Sequence, residues 1–179
     1  KVTGKTLGII GFGRIGQAMA SRGHFGFGMK IKIFSRSQVS AELLERYNAE
    51  QFNSVETLLR KSDFVSLHCP GGTSNRHLIN ASNLAQARPE LVLINTARGE
   101  VIDEVALANA LENKTIKAAG LDVFDGEPNI NPNLMTAPNL VMLPHLGSAT
   151  RETREEMGFR ALANCRAFFE GETPMDKVA

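Results

Sequence analysis

Leu7-Gly8-Ile9-Ile10-Gly11-Phe12-Gly13-Arg14-Ile15-Gly16-Gln17-Ala18-Met19-Ala20 is the stretch on which the fold turns. A short apolar run enters three glycines at the spacing G-x-G-x-x-G, and a helical pattern follows without a break. Each glycine has a steric purpose in a strand–turn–helix. Gly11 permits the tight turn, Gly13 lets backbone approach a pyrophosphate, and Gly16 allows close packing of helix on strand. The helix start adds unpaired N–H donors, which suit an anion. Glycine turns also serve structural ends, so the motif gains force only where strands flank it.

Such strands are legible. Beyond Leu7 to Ile10, apolar runs recur at Ile31 to Phe34, Phe64 to Leu67, Leu91 to Ile94, Ala118 to Val123 and Leu140 to Leu143. Near-continuous runs suit strands covered on both faces. Helices are expected between them, from near Arg14, Ser40, Ser54, Ala81 and Asp103, with Ser40 and Asp103 as N-caps and Pro89 closing the fourth. The alternation gives an α/β class with a Rossmann-type, doubly wound parallel sheet. Asp125 to Pro138, rich in Pro, Asn and Gly, reads as the one long irregular segment. Arg151 to Glu170 reads as a single helix with Met157, Ala161, Cys165 and Phe169 along one side, an apolar face that needs a cover.

Composition narrows the function classes. With 179 residues and 42% hydrophobic content, the chain can bury one substantial core. Twenty Lys and Arg against nineteen Asp and Glu leave a formal charge of +1 and no basic run, which disfavours nucleic acid as a partner. No stretch approaches the roughly eighteen apolar residues of a membrane helix, and Lys1-Val2-Thr3-Gly4-Lys5 is no signal peptide. Cys69 and Cys165 are far apart and lack metal-ligand spacing. The expectation is a soluble protein of a reducing compartment, the cytoplasm, with no metal site.

Ser35 stands nineteen places after Gly16, where an NAD-specific domain usually carries an acid for the ribose 2′-hydroxyl. Here no carboxylate would repel a 2′-phosphate. Arg36 could neutralise one, and the Ser35 and Ser37 hydroxyls could donate to it. NADP is therefore preferred and NAD remains possible, with Arg36 then lying across the adenine. Ligands of open parallel sheets bind beyond the strands' carboxyl ends. Three ionisable residues stand just past such ends: Arg98 in Asn95-Thr96-Ala97-Arg98-Gly99, Glu127 in Asp125-Gly126-Glu127-Pro128, and His145 in Pro144-His145-Leu146-Gly147. All three can converge on one crevice.

Together with Gly11 to Gly16, the segments Ser66-Leu67-His68-Cys69-Pro70, Asn95-Thr96-Ala97-Arg98-Gly99, Gly120-Leu121-Asp122-Val123-Phe124 and Pro144-His145-Leu146-Gly147-Ser148-Ala149-Thr150 resemble successive signatures of the D-isomer-specific 2-hydroxyacid dehydrogenases. The resemblance implies that Arg98, Glu127 and His145 are catalytic, acting on a small 2-keto acid. Arg98 would clamp the substrate carboxylate, His145 would exchange the proton, and Glu127 would stabilise the imidazolium. It also implies cofactor contacts at Gly11, Gly13, Arg14, Ile15, Gly16, Ser35, Arg36, Ser37, Cys69, Pro70, Asn75, Thr96, Ala97, Asp122 and Gly147. Asp122 could instead cap the turn after its strand. His68 is expected to have a supporting role, and His24 and His77 to be surface or packing residues.

The missing acid at Ser35 and the run Pro70-Gly71-Gly72-Thr73 look more like glyoxylate/hydroxypyruvate reductases than like phosphoglycerate or lactate enzymes. Formate dehydrogenases have glutamine where Glu127 stands, which disfavours that activity. A binding module similar to the C-terminal-binding co-repressors, sensing the dinucleotide, is the alternative of another class. The resemblance further implies a homodimer formed through the nucleotide-binding domain. It divides the chain into a dinucleotide-binding domain over 1–150 and, over 151–179, a helix and tail that return to a substrate domain built mainly from sequence preceding Lys1.

Overall fold

Among the residues described by the computed structural model, 1–178, seven strands form one all-parallel sheet. In chain order they are β1 (Thr6–Ile10), β2 (Lys30–Phe34), β3 (Glu50–Phe52), β4 (Phe64–Leu67), β5 (Val92–Asn95), β6 (Ala118–Leu121) and β7 (Leu140–Met142). Their spatial order is β3-β2-β1-β4-β5-β6-β7. The chain builds outward from β1 in one direction, then crosses back to place β4 on its other side. That reversal opens a crevice beyond the carboxyl ends of β1 and β4, where ligands of such sheets bind.

The helices are α1 (Arg14–Ser21), α2 (Ala41–Arg46), α3 (Val55–Arg60), α4 (Ala81–Leu84), α5 (Glu104–Glu112), α6 (Pro132–Met135) and α7 (Arg151–Phe169). Their starts follow side-chain chemistry. The Ser40, Ser54 and Asp103 side chains accept from the amides of Leu43, Thr57 and Ala106, satisfying donors that a helix start leaves unpaired. Asn80 and Asn83 cap α4 reciprocally. Two buried clusters hold the sheet. One gathers Leu58, Leu67, Leu93, Leu107 and Ile116; the other gathers Leu7, Ile9, Ile31, Ile33 and Tyr47.

Several boundaries depart from the sequence reading. β3 was not expected, since Glu50-Gln51-Phe52 has no apolar run of its own and is extended by its ladder with β2. α4 ends at Leu84, well before Pro89, so the proline does not close it. β6 stops at Leu121 rather than Val123, β7 at Met142, and β5 begins at Val92. The segment from Asp125 to Pro138 is not wholly irregular, because Asn131 caps the short α6 and Pro132 occupies its first turn. A π-helical turn, Arg22–Gly26, follows α1. There Gly23 packs so tightly that a Cβ would lie 2.8 Å from a Leu7 methyl.

The chain divides into two compact units, Lys1–Pro144 and a second beginning at His145. In the second, α7 is capped by the Thr150 hydroxyl and ends at Phe169, with Glu170 as its cap. Arg160 pairs with Asp176 through two hydrogen bonds of 2.7 and 2.8 Å, which pins the tail along the helix. No described residue of α7 is buried: Met157 and Phe169 of the expected apolar side are 58% and 85% exposed.

Candidate active site

The glycine turn is built as its spacing requires. Gly11 has a φ of +91°, and a Cβ there would lie 2.7 Å from the Cys69 nitrogen and the His68 carbonyl carbon. Only glycine lets β1 turn this close to the start of the loop after β4. A side chain at Gly16 would collide with the Gly11 carbonyl oxygen, whereas open space lies where one would project from Gly13. α1 then starts at Arg14 with no side-chain cap and no acid in its first turn. The first N–H groups of α1 are therefore available to an anion.

Two clefts lie along this turn. The first, of about 220 Å³, is lined by Gly11 and Gly13 from the turn, Ser35, Arg36 and Ser37 after β2, and Cys69, Pro70 and Asn75 after β4. Arg36 Nη1 donates to the Ser74 hydroxyl across 3.3 Å. Asn75 is buried and its amide donates to the Pro70 carbonyl at 2.9 Å, so it shapes the loop as well as lining the cleft. The second cleft, of about 640 Å³, is lined by Gly13, Arg14, Ile15, His68, Cys69, Pro70, Thr96, Ala97 and Arg98. Gly16 and Asp122 line neither of these two clefts. Gly16 lies buried beneath the turn, and Asp122, also buried, follows β6 with its amide on the Asn95 carbonyl.

His68 and Cys69 face both clefts. Burial lowers the His68 pKa below its ordinary range, and the ring lies 2.9 Å from the Ser66 hydroxyl. The imidazole is thus neutral at neutral pH and adds no charge for a pyrophosphate. Burial raises the Cys69 thiol, against smaller lowering effects from a backbone hydrogen bond and Arg36. It stays protonated and chemically quiet.

Arg98 is held by the strand that precedes it. Asn95, fully buried, donates to the Arg98 carbonyl and accepts from the Ala97 amide, folding Thr96-Ala97-Arg98 into a turn. The guanidinium is exposed and donates to the Ala97 carbonyl at 2.6 Å. The next residue interlocks two loops. A Cβ on Gly99 would collide with the backbone of Phe124 and Asp125, so the Arg98 loop and the Glu127 loop touch backbone to backbone. Glu127 accepts from the Phe124 amide at 2.7 Å. His145 opens the second unit with a left-handed backbone, φ +55°, and Gly147 lies in the same unit.

Sequence reading missed the residues that lock these loops. Arg76 reaches Asp125 at 2.8 Å and Glu100 at 3.7 Å, and Glu100 accepts from the Gly72 amide at 2.6 Å. Glu104, buried at the start of α5, accepts from the Asp125 amide at 2.8 Å. Its pKa is raised, first by burial and also by the Asp125 charge, with the hydrogen bond pulling the other way. The loops after β4, β5 and β6 are thereby tied together. His24, partly buried and edge-on to Phe25, and the partly buried His77 have packing environments.

Residues 1–147 match the sequence model of the D-isomer specific 2-hydroxyacid dehydrogenase NAD binding domain. The chain belongs to the D-isomer-specific 2-hydroxyacid dehydrogenase family. It is 49% identical over 175 residues to the glyoxylate reductase of Thermococcus litoralis, covering 98% of this chain and 52% of that protein. To glyoxylate/hydroxypyruvate reductase B of Enterobacter agglomerans it is 47% identical, covering 97% and 54%. The chain therefore spans about half the length of the curated relatives it matches. Among solved structures it is similar to the NADPH-dependent glyoxylate/hydroxypyruvate reductase of Sinorhizobium meliloti in complex with NADP and malonate. That likeness has a TM-score of 0.87 and 35% identity, covering all of this chain and 57% of the other. The holo D-mandelate dehydrogenase of Rhodotorula graminis gives a TM-score of 0.91 at 33% identity, covering 99% and 52%.

Proposed function

We propose that this chain is the dinucleotide-binding part of an NADP-preferring reductase of small 2-keto acids, glyoxylate or hydroxypyruvate foremost. One observation carries the reading: the 640 Å³ cleft is lined both by Gly13, Arg14 and Ile15 of the dinucleotide turn and by Arg98. A cofactor and an anionic substrate would share that surface.

The residues present fit a dinucleotide. The open face of Gly13 and the uncapped start of α1 suit a pyrophosphate. Ser35, Arg36 and Ser37 suit a 2′-phosphate, and Thr96 and Ala97 line the cleft that would take the nicotinamide half. When bound, the reduced nicotinamide supplies a hydride. Arg98 would grip the substrate carboxylate through two parallel hydrogen bonds. His145 would deliver the proton to the developing alkoxide, and Glu127 is proposed as the third catalytic residue.

The substrate-enclosing domain is proposed to lie outside these 179 residues, joined by the helix and tail over 151–179. The relatives' greater length supports this division. A homodimer formed through the dinucleotide domain and a cytoplasmic location complete the reading; the two free cysteines suit a reducing compartment. Turnover of glyoxylate, hydroxypyruvate and pyruvate by the full product of the gene tests it. NADPH oxidation with the first two substrates supports the proposal, and dinucleotide binding without turnover of any of them overturns it.

A further inference from the structure

The loop after β2 is gripped from behind by a side chain that does not line the cleft. Gln51, in the middle of β3, accepts from the Val39 amide at 2.9 Å and donates to the carbonyls of Ser37 at 3.0 Å and Ser35 at 3.4 Å. One side chain thus makes three hydrogen bonds to one loop. Gln51 is not among the residues lining the 220 Å³ cleft, whereas Ser35, Arg36 and Ser37 are. On the other side, the Ser74 hydroxyl accepts from the Arg36 guanidinium at 3.3 Å.

We infer that Gln51 is a positioning residue for discrimination of the ribose 2′-phosphate, setting the Ser35-Arg36-Ser37 loop so that its cation and hydroxyls converge on one anion. The inference rests on the cofactor reading above. Carbonyl oxygens repel an anion and hydroxyls and guanidinium attract it. A loop whose Ser35 and Ser37 carbonyls are engaged by Gln51 is restrained from turning those oxygens toward the phosphate. The Ile33–Gln51 register of the β2–β3 ladder fixes the distance from which the grip acts. A glutamine amide suits this position because it both donates and accepts. Leucine does neither, and glutamate keeps only the acceptor while facing two carbonyls.

Fluorescence titration of NADPH and NADH with the parent chain, Gln51→Leu, Gln51→Glu and Arg36→Ala tests the inference, with a thermal melt of each to confirm folding. Gln51→Leu is expected to weaken NADPH about five- to tenfold, the effect of losing one or two hydrogen bonds, while NADH changes less than about twofold. Gln51→Glu is expected to lower the preference at least as much. An NADPH to NADH ratio unchanged in both Gln51 variants overturns the inference, as does an equal loss for both cofactors, which would make Gln51 a structural brace only. A parent without preference for NADPH overturns the cofactor reading and this inference together. A preference that Arg36→Ala lowers and both Gln51 variants leave intact overturns the inference alone.

Discussion

The two clefts at the sheet's carboxyl edge are made by different means. Beside β1 and β2 the surface is built from the glycine turn, where Gly11 and Gly16 leave no room for a Cβ, and from Ser35, Arg36 and Ser37 after β2. The second cleft takes Arg98 from the loop after β5, and the loops beside it are tied by charged groups: Arg76 to Glu100 and Asp125, Glu100 to the Gly72 amide, and Glu104 to the Asp125 amide. The glycine spacing of the first is a demand of sterics. The second is specified by through-space pairing, and its geometry stands or falls with partners distant in sequence.

The contrast is broken hardest by changing a group proposed to act on substrate alone. His145→Gln, in the full gene product, should lower kcat by roughly 10²–10⁴ while NADPH affinity stays the same, as steady-state kinetics and titration would show. Glu127→Gln in the same protein should lower kcat with NADPH affinity unchanged, and an unaltered kcat would remove Glu127 from the mechanism.

Gly99→Ala tests whether the two charged loops are interlocked. Its Cβ would meet the Phe124–Asp125 backbone, and the strain should cost roughly 1–3 kcal/mol in chemical denaturation. Gly13→Ala, where space is open, should be far milder for folding and harmful for dinucleotide binding. Equal denaturation midpoints for the two variants would contradict the packing described.

On the dinucleotide side, Arg36→Ala should weaken NADPH by about 1–3 kcal/mol, the range for a lost charge-assisted hydrogen bond, with a smaller change for NADH. Equal parent affinities for the two cofactors would sink the 2′-phosphate assignment.

Legibility in the sequence divides along the same line. Gly11, Gly13 and Gly16 could be read because a tight turn imposes its demand within a few residues, and Ser40 and Asp103 because a cap acts over three. β3 could not be read, since Glu50-Gln51-Phe52 acquires its extended form from β2, and Gln51 was lost with it. Arg98 and Glu127 were visible as ionisable residues past strand ends. Arg76, Glu100 and Glu104, which hold their loops, were not, because their partners are assembled only by the fold.

The smallest expected effect concerns Glu104. Its folded pKa is raised, so the folded state binds more protons than the unfolded one between the two pKa values. Its contribution to stability is fully present below the unfolded pKa and declines as pH rises through the folded pKa. Glu104→Gln keeps an oxygen for the Asp125 amide and removes the titration. Melting temperatures from pH 4 to 8 should therefore fall more with rising pH in the parent than in the variant, relative to a common reference at pH 4. Parallel curves would contradict the assignment.

The proposal that these 179 residues bind a dinucleotide is tested most directly by titrating NADPH into the chain by itself. Saturable one-to-one binding that Arg36→Ala weakens is the predicted result. No binding at millimolar NADPH by a chain that melts cooperatively would contradict it.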